Sequence, residues 1–469
     1  MSKIDRIVHY LTDLTHRGYF RFSCLTKQSL LLIFNCPSVK HPPTPLGRGR
    51  HGGASRQGNV VHIVPLDPAY PALAGRGTFR PGPLGEEVYR MAFSDTERKR
   101  RHEAIHRIMD TRALKALILF GDTNVGSDVL GDLRYYVDHR NVAGRQVTVL
   151  FPRRDPVLFV GSAIQREAAE RRSSVRDCRL SDRMPEDVVK LLKEQNALKG
   201  RVGVNFEVLP VNWHHFLKKE LPEIDWTETH GDILNIRLHH VPEEADLFRK
   251  GAALGDGGYE AALKTIRPGV SEYEIAAAIE AYARARGAEQ HFTLVGSGKF
   301  ALGDQNGLPL PYSPSMRRVE AGDSVVMEIS PRLEGYWTQL VRTVNVGSPN
   351  AELEKLYRVS RDAIRKALEV FKPGKTIRDV VARMDAHIKS CGYIPKPPYG
   401  HVCGVDLIDA RVSLQNEQIL EPGTAVILHP TVFTPNLKNS FFWGETYLVT
   451  EDGCERLHHA SDEFVTVAA

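Results

Sequence analysis

The chain has 469 residues, 42% of them hydrophobic and 25% charged, with a formal net charge of +5. That length allows two or three domains, and the balance is that of a soluble globular protein. So small a charge surplus gives no argument for nucleic acid, and no apolar run reaches the length of a membrane span; Leu30–Phe34 is far too short.

Residues 1–57 differ from the rest. A weakly apolar segment leads into Pro42–Gly58, rich in Pro, Gly and Arg, which reads as a flexible linker. Residues 1–57 are expected to be a flexible or non-native extension. Pro65–Gly85 is again rich in Pro and Gly and is expected to wrap the surface. Regular structure starts at Ser94, which caps a charged helix to about Arg112, with Glu97 placed as in a capping box. The run Arg98–Arg101 inside it reads as a solvated face. Short apolar strands follow at 116–120, 146–151, 157–160 and 201–206, with helices at 185–195 and 214–221. Alternating strands and helices predict an α/β domain over 58–235. No glycine-rich loop follows these strands, so no nucleotide is expected. The six cysteines, Cys24, Cys36, Cys178, Cys391, Cys403 and Cys454, form no Cys-x-x-Cys pair, which points to a reducing, cytoplasmic setting.

The second half repeats itself. Thr265–Gly287 and Val370–Gly392 align without gaps, with Pro268 to Pro373 and Gly287 to Gly392 both 105 residues apart. Each copy has Pro-Gly, a Ser or Thr cap (Ser271, Thr376), an acidic residue three later (Glu274, Asp379), an amphipathic helix and a glycine stop. Another helix precedes each copy, at 242–266 and 351–371, and strands follow. Residues 236–469 therefore read as an α+β domain of two similar halves that join their sheets, with helices behind and a cleft in front.

Within that domain, Gly322–Gly347 reads as a hairpin: strand 324–329, a turn over Pro331–Gly335, and a return strand from Tyr336 to Val346. Glu328 falls mid-strand, and Gln339 and Arg342 lie in the return. Buried polar groups need partners or a function, so the hairpin is a candidate site wall. Further on, His401 lies between Gly400 and Gly404, where the backbone can approach a ligand closely. His429 ends the apolar run from Thr424, and Glu445 begins the strand 444–450. Glu328, Gln339, His401, His429 and Glu445 thus sit on five strand-like segments and could supply imidazole and carboxylate on one face.

In order and spacing, Gly322-Asp323, Gly335-Tyr336, Arg342-Thr343, Gly400-His401, Glu421-Pro422-Gly423 and Glu445-Thr446 resemble the pita-bread superfamily: methionine aminopeptidase, aminopeptidase P, prolidase and creatinase. The resemblance implies an α/β amino-terminal domain plus an α+β pita-bread catalytic domain with an internal pseudo-twofold repeat. It also implies a homodimer, with Arg134, Tyr135 and Arg140 as candidates for residues lent to a partner's site. The peptidases of this group hold two metal ions with two Asp, one His and two Glu. Carried over, those positions fall on Glu328, Gln339, His401, His429 and Glu445, and two further catalytic His positions fall on Pro311 and Ile408. A neutral Gln bridges two cations poorly, so a working dinuclear aminopeptidase is not expected.

The segment Pro331–Thr343 looks most like creatinase, the metal-free branch that hydrolyses a C–N bond. Three readings follow. The first is a creatinase-like hydrolase or lyase acting on a small polar metabolite, with Glu328, His401, His429 and Glu445 catalytic and Gln339, Tyr336, Arg342 and His291 around the substrate. The second is an enzyme with one divalent ion (Fe, Mn or Zn) held by Gln339, His401, His429 and Glu445. The third is a binding module that has lost catalysis. A small-molecule substrate, and neither nucleic acid nor membrane, is the partner in the first two.

Overall fold

A computed structural model describes residues 92–123, 131–139, 143–300 and 310–469, all in the unit Pro81–Ala469. The expectations for residues 1–57 and for Pro65–Gly85 lie outside the described residues. The first layer is a six-stranded mixed sheet in the order β4-β3-β2-β1-β5-β6. Its strands are β1 (Leu114–Asp122), β2 (Arg145–Phe151), β3 (Arg154–Val160), β4 (Asp177–Leu180), β5 (Gly200–Val204) and β6 (Ile224–Glu228). The helices interleaved with them are α1 (Asp95–Thr111), α2 (Gly131–Val137), α3 (Ala163–Arg172), α4 (Met184–Glu194), α5 (Val211–Glu220) and α6 (His230–Arg237).

Two details of α1 differ from expectation. Ser94 accepts from the Glu97 N–H at 3.2 Å, but the Glu97 carboxylate turns to Arg100 and Arg101, and the Ser94 N–H goes to Glu243. Only half a capping box forms. For the same reason the Arg98–Arg101 run is not simply solvated: Arg101 is 2% exposed and reaches Glu97 and Glu244. A buried guanidinium needs such partners.

The second layer begins with α7 (Pro242–Thr265) and α8 (Glu272–Arg284). Strands β7 (Gln290–Lys299), β8 (Asp323–Leu333), β9 (Tyr336–Trp337) and β10 (Leu340–Val346) follow, then α9 (Ala351–Leu368) and α10 (Ile377–Ser390). Strands β11 (Ile394–Lys396) to β19 (Thr466–Val467) complete the chain. Among these are β12 (Gly400–Val402), β13 (Ala410–Arg411), β14 (Ala425–Leu428), β17 (Gly444–Val449) and β18 (Cys454–Arg456). The main sheet runs β13-β12-β14-β17-β10-β8-β7. The two halves meet where β17 pairs antiparallel with β10.

The repeat is real in three dimensions. Ser271 and Thr376 each accept from the N–H three residues on, and Glu274 and Asp379 each bond back to the cap N–H, which makes two full capping boxes. Gly287 and Gly392 stop the helices at φ +97° and +83°. Each cap residue also forms an isolated bridge, Ser271 to Arg318 and Thr376 to Ile419. Both helix pairs pack on one face of the sheet. Val295, Met327, Ile329 and Leu340 meet α7 and α8, and Val402, Val426, Leu428 and Tyr447 meet α9 and α10. The opposite face is left for the site.

The hairpin turn is narrower than its sequence implies. Leu333 pairs with Tyr336 around Glu334 (φ +46°) and Gly335 (φ +95°), a two-residue turn of the primed kind that matches strand twist. Pro331 stays inside β8, opposite His291.

Candidate functional site

Strand alternation decides which side chains share the open face. Val341 pairs with Glu328 on one side and with Gly444 on the other, so these three positions lie in one row across β8, β10 and β17. His401 pairs with Ile427, and His429 follows two residues after Ile427 on the same side. Four of the expected residues, Glu328, Gln339, His401 and His429, therefore face the same way.

Glu328 and Gln339 are in contact. The Gln339 amide donates to Glu328 Oε1 at 2.5 Å and to Ser330 Oγ at 3.1 Å. Burial pushes the Glu328 carboxyl up to about 7, against the smaller downward pull of the Gln339 bond. The two imidazoles meet edge to face, with ring centroids 5.4 Å apart, and Phe442 lies edge-on to His429 at 5.0 Å. Burial, then the neighbouring His429, pushes His401 down to about 3; burial pushes His429 down to about 4. Both are neutral bases at pH 7. Three buried polar atoms on this face have no partner: Gln339 Oε1, His401 Nδ1 and His429 Nδ1. Buried atoms without a partner occur elsewhere among the described residues too, His291 included, but here three of them gather beside Glu328, where a ligand would complete their bonding.

The other expected residues lie elsewhere. Glu445 pairs with Leu340 and Leu428, both on the helix side, so its carboxylate points away from the site. There it accepts from Arg342 (2.6 Å), Arg456 (2.9 Å) and the Tyr447 hydroxyl (2.9 Å). Burial opposes its charge, but the Arg456 bond and the Arg342 field prevail and hold it down at about 2. The site-face position is Gly444, one residue earlier. A Cβ there would sit 2.1 Å from the Leu428 carbonyl and 2.5 Å from the His429 Cβ, so no side chain fits. One strand residue reverses the face, and that is why the sequence placed Glu445 wrongly.

Arg342 spends its donors on Glu445, on the Val341, Gly444 and Ser461 carbonyls, and on the Trp443 ring. Four of its five N–H donors are taken, and its side chain lies on the helix face with Glu445. The Tyr336 hydroxyl donates to Glu244 at 2.5 Å and accepts from Arg101 at 3.0 Å, among Phe93, His240 and Phe248. It ties α1 and α7 to the hairpin instead of lining the cleft. His291 lies opposite Pro331, on the side away from Glu328, where burial and Arg284 hold it down at about 4. Gly400 also has a different reason from the one expected. A Cβ on it would lie 1.9 Å from the Ile427 carbonyl, so the close approach is between β12 and β14 and not to a ligand. Arg134 and Tyr135 turn into their own chain, Arg134 to Glu289 at 2.8 Å and Tyr135 to Arg100 at 3.0 Å; Arg140 is outside the described residues.

Residues the sequence reading missed are Ser330, Phe442 and Gly444. Counting by twos along β17 from the inward Val449 and Tyr447 reaches Glu445, which would have placed Glu445 on the helix side and left Gly444 on the site face.

This arrangement does not suit a metal centre. Without Glu445, the proposed one-metal set keeps two imidazoles and an amide whose nitrogen faces Glu328. Among the described residues no group of three or more His, Cys, Asp or Glu could hold a metal ion. One carboxylate cannot replace the four that two cations require. Pro311 is buried and Ile408 is 48% exposed, and neither carries a proton. The donor set fits neither a dinuclear centre nor the one-metal site. Among the described residues no helix is long and apolar enough to cross a membrane, and Cys178, Cys391, Cys403 and Cys454 are free thiols.

Comparison with known proteins agrees with the fold. Residues 246–451 match metallopeptidase family M24, and residues 101–239 match the creatinase/prolidase N-terminal domain. An Xaa-Pro dipeptidase of Pyrococcus furiosus is 29% identical over 253 residues, covering 53% of this chain and 69% of that protein. A creatinase of a Bacillus species is 24% identical over 396 residues, covering 80% of this chain and 93% of that protein. The crystal structure of the prolidase from Pyrococcus horikoshii superposes with a TM-score of 0.68 at 24% identity, over 78% of this chain and all of that one. Sheet order, paired helices and two adjoining family matches lead to one conclusion: the chain joins a creatinase/prolidase N-terminal domain, over 101–239, to a pita-bread domain of the metallopeptidase family M24 kind, over 246–451.

Proposed function

We propose that this chain is a metal-independent, non-peptidase hydrolase that cleaves a C–N bond in a small polar metabolite by acid–base catalysis. The observation that carries this reading is the set of unpartnered buried atoms, Gln339 Oε1, His401 Nδ1 and His429 Nδ1, on the face that holds Glu328. Glu328 and the Gln339 carbonyl offer acceptors to a substrate N–H or cation. The two neutral imidazoles offer a base. In the step, a water oxygen bonds to carbon while one of its protons passes to an imidazole Nδ1. That imidazole returns the proton to the departing nitrogen as the C–N bond breaks, so nothing is consumed but water. The likeness to a creatinase over most of both chains supports this reading. The equally clear likeness to Xaa-Pro dipeptidases makes peptidase activity the alternative to test.

The test measures metal in protein purified without chelator, then screens N-substituted and guanidino amino acids beside Xaa-Pro dipeptides, with and without EDTA. Turnover of a small C–N substrate that survives EDTA, and that falls by about 10²–10⁴ in His401→Ala and His429→Ala, is the expected result. Hydrolysis of Xaa-Pro dipeptides that requires added Mn²⁺, Fe²⁺ or Zn²⁺ would overturn the proposal.

A further inference from the structure

Behind the site, on the α7 side, lies a buried imidazole that the proposed chemistry does not use. The His458 side chain is fully buried, with Nδ1 2.8 Å from Asp256 of α7 and Nε2 3.4 Å from the Thr446 hydroxyl. Thr446 Oγ1 in turn brackets the Gln339 backbone, accepting from its N–H at 2.9 Å and donating to its carbonyl at 3.0 Å. A hydroxyl has one hydrogen, and the Gln339 carbonyl takes it. The Asp256 carboxylate only accepts, so His458 Nδ1–H donates to it, and Nε2 rests against the Thr446 hydroxyl at 3.4 Å. Asp256 also accepts from the His459 N–H at 2.6 Å, which fixes its orientation. The chain of contacts runs Asp256, His458, Thr446, Gln339, Glu328, from a helix to the open face.

We propose that His458, held by Asp256 and acting through Thr446, is a positioning residue that aims the Gln339 amide at Glu328. The Gln339 backbone forms this side-chain clamp at the point where β9 ends and β10 begins, just outside the regular ladder. Gly251 and Gly255 of α7 keep the helix close enough for the contact. A Cβ on Gly255 would sit 3.3 Å from the His458 ring, and one on Gly251 would sit 3.1 Å from Thr338, the residue before Gln339. Charged groups near His458 are Asp256 from α7 and Glu445 from β17, whose carboxyl is lowered in part by His458. The polar groups in contact with the Glu328–Gln339 pair are Ser330 on β8 and Thr446 on β17.

The functional meaning of this device rests on the reading of Glu328 as a substrate-facing acceptor, but its test needs no substrate. Protein labelled with ¹³C at Glu carboxyls is titrated by NMR, with the Glu328 signal assigned as the one lost in Glu328→Gln. Circular dichroism and a cooperative melt confirm folding of each variant. Removing the Gln339 bond withdraws a downward pull on Glu328. Thr446→Val and His458→Ala are therefore expected to raise its midpoint by at least about half a pH unit, while His458→Gln, which keeps an N–H donor, holds it near wild type. If His458→Ala does not fold, Thr446→Val decides alone. A folded Thr446→Val with an unmoved midpoint, or equal shifts in His458→Gln and His458→Ala, would overturn the proposal. Absence of turnover in the substrate screen would sink the hydrolase reading and leave this titration result standing.

Discussion

Glu328 and Glu445 are two buried carboxylates in neighbouring halves of one sheet, yet burial drives one up to about 7 while the other is held at about 2. The difference lies in their partners. Glu328 has a neutral amide and a position on the open face. Glu445 has Arg342 and Arg456 on the helix face. The desolvation penalty acts on both, and only a full counter-charge overcomes it. One face of the sheet thus neutralises charge by pairing and serves structure. The other keeps acid–base groups near their switching point or neutral, which is the condition for proton transfer.

The largest expected effect comes from removing the pairing. Arg342→Met leaves Glu445, 1% exposed, with Arg456 as its remaining cation. Urea unfolding at pH 7 is expected to show a loss of about 3–5 kcal/mol. A loss below about 1 kcal/mol would mean that Arg456 suffices and that the contrast between the faces is overstated.

A smaller effect of opposite sign is expected at Glu328. Its folded carboxyl holds its proton up to about 7, whereas the unfolded chain releases it near the ordinary 4.5. Between those values the folded state binds more protons, so stability falls as pH rises through the window. Glu328→Gln is expected to raise stability by roughly 1–3 kcal/mol at pH 8 and to change little at pH 4. For Glu445 the sign reverses: its contribution is complete above about 4.5 and is lost as pH falls toward 2. Thermal melts of wild type and Glu328→Gln across pH 4–8 check this, and a variant less stable at pH 8 would break the comparison.

The smallest effect compares the two halves directly. Ser271→Ala and Thr376→Ala each remove one member of a reciprocal capping box and are each expected to cost about 1 kcal/mol in chemical denaturation. Markedly unequal losses would show that the repeat is conserved in shape but not in load.

Local signals carried much of the architecture. The two capping boxes, the glycine stops and the 105-residue spacing were visible because each depends on a few consecutive residues. The α/β start was visible for the same reason. Half of the site was also visible: Glu328 and Gln339 stood out as polar residues in β-type surroundings, and His401 and His429 as imidazoles at strand ends. What failed were statements about direction. Tyr336, Arg342, His291 and Glu445 are polar residues in the right segments, but their side chains turn to Glu244, to the Glu445 carboxylate, toward α8 and to Arg456.

By itself the sequence determined where helices begin and stop and that the second domain is built twice, because caps, turns and periodicity are fixed by neighbours in the chain. Tertiary structure alone decided which of two adjacent residues, Gly444 or Glu445, faces the site. That choice depends on register between β17, β10 and β14, which are distant in sequence, and a shift of one residue in a strand reverses every side chain it carries.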